Sequence, residues 1–167
     1  MTVTPQDVPS DIRIRKAERA DLLAVYRIEK ASFTSPWPFE AFERQLSGPG
    51  FLVAVDEERG DSDGTIDSAP VIGFIVADLV PNHGQPLGHI KDLAVHPEYR
   101  GDGVGTALLR RGLTVLSGQS VRSVKLEVRE GNAGARRLYS RFGFQPLRRV
   151  PQYYDDGEDA LVMIRSS

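Results

Sequence analysis

The chain contains no cysteine. That excludes disulfides, thiolate nucleophiles and cysteine metal sites, and it fits the cytosol. Long apolar runs are missing too, so no segment approaches a membrane span. The polar start Met1-Thr2-Val3-Thr4 does not read as a signal peptide. A cytoplasmic protein with no membrane partner is expected. There is no excess of positive charge. The formal net charge is −2, which removes a global basic field for nucleic acid. Lysine is scarce: of 21 basic residues only Lys16, Lys30, Lys91 and Lys125 are lysines. Histidine is limited to three dispersed residues, which make no metal site, so no metal is expected. Internal repeats are absent.

What remains is an ordinary globular composition. The 167 residues are 40% hydrophobic and 26% charged, which suits one domain with a sizeable core. Residues 1–11, with Pro5 and Pro9, read as a flexible tail, and 12–167 as a single domain. Ile12 to Arg15 alternates like a strand. Asp21 caps or opens a helix carrying Leu22, Val25, Ile28 and Glu29. Ser35-Pro36-Trp37 reads as the next helix start, running through Phe39 and Phe42 to Leu46. Strands follow at 51–55, 71–80 and 88–95. Between the first two lies Asp56 to Pro70, polar and acidic, expected as an exposed mobile loop. Val104, Ala107, Leu108, Gly112 and Val115 form a helical stripe. Val124, Leu126 and Val128 alternate as a strand. Asn132 is placed to cap a helix carrying Ala135, Leu138, Tyr139 and Phe142, with Gly143 as its stop. Phe144 and Leu147, then Leu161 to Ile164, close the chain as two strands. The order β-α-α-β-β-β-α-β-α-β-β implies an α/β fold: a mixed sheet with helices on both faces.

The most telling stretch is Arg100-Gly101-Asp102-Gly103-Val104-Gly105-Thr106. Three glycines at alternate positions let a backbone turn sharply and expose its amides. A helix beginning there adds unsatisfied N–H groups and a positive dipole end. Together they make a cradle for pyrophosphate. A P-loop requires Lys-Ser/Thr after the last glycine, and Thr106-Ala107 stands there. A Rossmann fingerprint requires its third glycine where Thr106 stands. A glycine-rich turn that merely caps a helix is the other reading of these residues.

The pattern Arg-x-x-Gly-x-Gly resembles the acetyl-CoA signature of the GNAT superfamily of N-acetyltransferases. The likeness extends through Leu93-Ala94-Val95-His96-Pro97-Glu98-Tyr99-Arg100-Gly101, then Glu127 to Asn132, then Leu138-Tyr139-Ser140-Arg141-Phe142-Gly143-Phe144. Near the end, Tyr153-Tyr154 and Gly157 to Ala160 are similar to the RimI-like protein N-terminal alanine acetyltransferases and their archaeal relatives. The resemblance implies a GNAT fold with a mostly antiparallel sheet of about seven strands. It implies acetyl-CoA as co-substrate and protein N-termini, ribosomal proteins among them, as acceptors. A monomer or weak dimer is expected.

Acetyl transfer to an amine requires a deprotonated amine, a polarised thioester carbonyl and a proton for the departing thiolate. No covalent intermediate is required, so the lack of cysteine is no obstacle. Glu127 lies mid-strand opposite Val124, Leu126 and Val128. Alternation alone reads it as a solvent-facing residue paired with Lys125 or Arg129, whereas the resemblance implies a general base. Tyr139 lies on an apolar stripe, and the resemblance implies a general acid. For the cofactor it implies Leu93, Ala94 and Val95 beside the pantetheine arm, the turn from Arg100, Gly101, Asp102 and Gly103 through Val104, Gly105 and Thr106 at the pyrophosphate, and Asn132 reaching the pantetheine. Phe33, Trp37, Tyr153 and Tyr154 are candidates for an aromatic acceptor wall; core packing is the other reading for each. His89, Lys91 and His96 carry less weight. Two departures from the bacterial pattern, the 56–70 insertion and His89-Ile90-Lys91-Asp92, leave the acceptor open. Rival functions are acetylation of a small amine or lysine, and a non-catalytic acyl-CoA sensor.

Overall fold

The computed structural model describes residues 11–59 and 69–166. The expected tail, except Asp11, and the centre of the expected 56–70 loop lie outside the described residues.

Seven strands form one sheet in the order β1-β2-β3-β4-β5-β7-β6. They are β1 (Ile12–Lys16), β2 (Gly50–Asp56), β3 (Val71–Val80), β4 (Leu87–Val95), β5 (Ser123–Arg129), β6 (Gln145–Val150) and β7 (Ala160–Ser166). Neighbours are antiparallel except β4 and β5, which run parallel. The helices are α1 (Leu22–Ser32), α2 (Phe39–Gln45), α3 (Val104–Ser117) and α4 (Ala133–Arg141).

Alternation along β2 sorts the core into two layers. Leu52 and Ala54 join the cluster that contains Leu108 and Leu109 of α3 and Tyr139 of α4. Phe51, Val53 and Val55 join Leu22, Val25 and Ile28 of α1 and Phe42 of α2. Helices therefore cover both faces, because side chains of period two feed both layers. α3 lies very close to the sheet at Gly112, where a Cβ would meet Ile75 Cδ1 at 2.8 Å.

Two local expectations are corrected, and that for Asp21 is settled in favour of a residue that opens the helix. Ser35, Pro36 and Trp37 do not start α2; they lie in the α1–α2 loop, and Pro38 precedes the helix. The reason is that the Trp37 amide donates to Glu29 Oε2 at 2.9 Å, which holds the chain extended. Asp21 stands at the N-terminus of α1 but does not cap it with its side chain. Its carboxylate takes Arg15 bidentately at 2.7 and 2.9 Å. Asp56 is not part of an exposed loop. It ends β2, is buried, and accepts the Tyr99 hydroxyl at 2.7 Å.

Candidate active site

The parallel pair β4 and β5 is short. It runs from Gly88↔Val124 to Ile90↔Leu126. Next to its end, β3 and β4 shift register, so Lys91 is a bulge between Ile90 and Asp92. A bulge bends its strand. Beyond it the β4 edge that faced β5 is free of ladder pairs among the described residues. The His96 amide donates to Ile72 O, and amides alternate along a strand, so those of Leu93 and Val95 point to that free edge. Two groups on the edge are already engaged. The Leu93 amide donates to Asp92 Oδ1 at 2.9 Å, and Val95 O accepts Arg100 Nε at 3.0 Å.

The chain then enters the glycine turn. Gly101 and Gly103 have φ of 86° and 83°, left-handed values that a side chain rarely adopts. Gly103 precedes α3, and the first bond across the cap runs from the Ala107 amide to Gly103 O. The amides of Val104, Gly105 and Thr106 therefore lie ahead of the helical ladder, at the positive end of a 14-residue helix. Arg100 bonds Ser32 Oγ as well as Val95 O, so it ties the β4 exit to the end of α1. Asn132 caps α4, its Oδ1 accepting the Ala135 amide at 3.1 Å.

A cavity of about 150 Å³ opens beside the strand gap. Glu127, Tyr139, Asn132, Leu93, Phe33, Trp37 and Tyr154 all contribute to its lining. β5 buries Val124, Leu126 and Val128 and turns Glu127 to the other face. Glu127 Oε2 meets His89 Nε2 at 2.6 Å, and Lys125 Nζ lies 3.5 Å from Oε1. Burial alone would raise the Glu127 pKa, but the bond and charge of His89, with help from Lys125, hold it below the usual carboxylate value. His89 is not among the cavity-lining residues, so it stands behind Glu127. Tyr139 packs edge-on against Phe144 with its ring buried. Burial, then the proximity of Asp92 and Tyr154, pushes its phenol strongly upward, so it stays protonated.

The walls are aromatic. Trp37 lies on Phe42, with ring centroids 5.3 Å apart. Tyr154 lies under the Arg129 guanidinium at 4.1 Å, and burial chiefly pushes its phenol up to about 12. Arg129 also bonds Asp156 at 2.8 Å, Glu158 at 2.9 Å and Thr34 at 3.2 Å. It thus ties β5 to the α1–α2 loop and to the β6–β7 connection. Tyr153 is placed differently from the other three aromatics. It is 51% exposed, does not line the cavity, and packs edge-on against Tyr154.

Residues 22–144 match the acetyltransferase (GNAT) family. This chain belongs to the GNAT family. It is 35% identical over 152 residues to a putative ribosomal protein bS18-alanine N-acetyltransferase of Bacillus subtilis, covering 90% of this chain and 92% of that one. Among solved structures it resembles Ard1 from Thermoplasma volcanium, with a TM-score of 0.79 and 30% identity over 93% of this chain and 97% of that one. It also resembles Arabidopsis thaliana NAA60 in complex with acetyl-CoA, with a TM-score of 0.81 and 26% identity over 93% and 99%.

This GNAT protein is an acetyl-CoA-dependent N-acetyltransferase. Its residues fit the co-substrate. The left-handed Gly101 and Gly103 and the free first-turn amides of α3 suit a pyrophosphate, and the open β4 edge suits an amide-bearing arm. Three residues that the fold brings to the site carry little signal in the sequence. His89 backs Glu127, and the parallel register that places it opposite Lys125 is not visible in the sequence. Arg129 reads in the sequence as a partner for Glu127. The acidic run Asp155 to Asp159 was its one sequence signal. Glu29, read as a helix residue, lines the cavity with Asp92.

Proposed function

We propose that this chain transfers acetyl from acetyl-CoA to the N-terminal α-amine of proteins. The observation that carries the reading is the convergence of Glu127 and Tyr139 on one small cavity, between two loops and beside the open β4 edge. Bound acetyl-CoA supplies an activated thioester carbon. Glu127 takes the proton from the acceptor ammonium, directly or through one water, and His89 behind it shares that charge, so the two act as a unit. Tyr139 stays protonated and donates to the sulfur side. Burial in the same cavity would raise the proton affinity of a departing thiolate too, which narrows the gap between the two groups. The Arg100–Thr106 turn and Asn132 hold the co-substrate.

The acceptor enters between the α1–α2 loop, carrying Phe33 and Trp37, and the Tyr154 segment. Arg129 joins these two walls, which leaves room for a chain end rather than for an internal lysine in a folded surface. The Bacillus subtilis relative, named for alanine at the N-terminus of a ribosomal protein, supports the same class of acceptor. We take residues 12–167 as one catalytic domain working in the cytoplasm, as a monomer or weak dimer, without nucleic-acid or membrane partners. The absence of cysteine and the net charge of −2 support that setting. Among the described residues, no helix is long and apolar enough to cross a membrane. A library of N-terminal peptides with acetyl-CoA, beside polyamine and aminoglycoside controls, tests the function through thiol release. Peptides with a small first residue should turn over. Turnover of the small amines alone would replace the proposal, and no turnover of any acceptor would favour a sensor.

A further inference from the structure

Glu29 and Asp92 line the cavity, and the chemistry above uses neither. Glu29 sits near the end of α1 and is 1% exposed. Its Oε2 accepts the amide of Trp37, in the acceptor loop. Asp92 follows the β4 bulge, and its Oδ1 accepts the amide of Leu93, on the free strand edge. Each carboxyl thus spends one oxygen on a backbone N–H. The other two oxygens, Glu29 Oε1 and Asp92 Oδ2, are buried and meet no N–H or hydroxyl donor. The two carboxyls line the same cavity and are side-chain neighbours close enough to interact.

Two ionised carboxylates in that position would repel and would both lose hydration. A single proton between them turns the repulsion into a charge-assisted O–H···O⁻ bond. We propose that Glu29 and Asp92 share one proton and thereby clamp the α1–α2 loop to β4, as positioning residues that set affinity for the acceptor. The inference deepens the N-terminal acetylation reading and rests on it for the acceptor. Burial raises the proton affinity of both groups, and that of Asp92 further, so Asp92 carries the proton and donates to Glu29. The surrounding groups keep it there. Tyr139 from α4 is protonated, Glu127 from β5 is bound to His89 and Lys125, and Lys91 is turned to Asp78 at 3.4 Å.

Trp37 is the only tryptophan, so its fluorescence reports this loop without any assay of turnover. As pH rises through the raised pKa of the pair, the second carboxyl ionises and the loop loosens. Wild-type fluorescence should show that transition. Asp92→Asn should lack it, because an amide donates to Glu29 and has no such proton to lose. Thermal stability follows the same sign. A carboxyl whose pKa is raised by folding costs stability as pH climbs from the ordinary carboxylate range to the folded value, so Asp92→Asn should gain on wild type over that range. In kinetics, Asp92→Leu removes the bond to Glu29 and the acceptor for the Leu93 amide, so it should raise the peptide KM by about tenfold or more, and by more than it raises the acetyl-CoA Kd. Asp92→Asn should recover most of that loss. An Asn variant that keeps the wild-type pH transition, or that binds peptide as weakly as the Leu variant, overturns the proposal. A wild type that acetylates no peptide yet shows the Trp37 transition would retire the acceptor reading and leave the proton-sharing pair in place.

Discussion

Glu127 and Tyr139 line one cavity but are tuned in opposite directions by their neighbours. His89 holds Glu127 ionised, whereas burial holds Tyr139 protonated. On the proposed roles, a base and an acid thus coexist at neutral pH in one small space. Glu127→Gln and Tyr139→Phe should each lower the single-turnover rate roughly 10²–10⁴-fold, the contribution of a positioned proton-transfer group, with acetyl-CoA affinity retained. Single-turnover kinetics is the right measurement because slow product release cannot mask the chemical step. Wild-type rates in both variants would remove these residues from the chemistry. His89→Leu takes away the partner that depresses the Glu127 pKa. Burial is then opposed by Lys125 alone, so the carboxyl should titrate at higher pH. The acid limb of the kcat/KM profile should move upward with it, and an unmoved limb would separate His89 from the base.

At the scale of elements, the site is made by a strand that stops pairing and a helix that starts beside it. The β4 bulge at Lys91 ends the ladder to β5, and the Gly101–Gly103 turn delivers α3 with its first amides unbonded. Gly105 tests this arrangement better than Gly103. Gly103 has a left-handed φ, where any side chain is strained, whereas a Cβ at Gly105 meets Val95 and Leu138 only at 3.6 and 3.8 Å. Gly105→Asp should fold and yet weaken acetyl-CoA binding on the order of 10²-fold, since a carboxylate opposes a pyrophosphate at a helix N-terminus. Titration calorimetry showing wild-type affinity in a folded variant would move the cofactor elsewhere. The glycine turn, the Asn132 cap and the Glu127 face were legible in the sequence because each depends on neighbours within a few residues. The bulge and the short β4–β5 ladder were not, because each is set by a partner strand elsewhere in the chain, and the Trp37–Glu29 bond was not, because it depends on how the loop folds back eight residues onto α1.

The whole molecule joins two aromatic-walled loops over the gap in its sheet, and the fold class was readable from the order of its strands and helices. The aromatic side of the cavity was less readable. Phe33, Trp37 and Tyr154 reach the cavity, Tyr153 turns outward, and nothing in Tyr153-Tyr154 distinguishes the two before the chain is folded. Arg129 explains the difference, since its guanidinium selects one ring while bonding Thr34 across the gap. On the proposed function, this arrangement admits the free end of a polypeptide. This is tested most directly with one peptide, made with its α-amine free or blocked and carrying an internal lysine, incubated with acetyl-CoA and mapped by mass spectrometry. The free form should gain one acetyl group on its first residue, and the blocked form should gain none. Equal acetylation of both forms, at the lysine, would contradict the account.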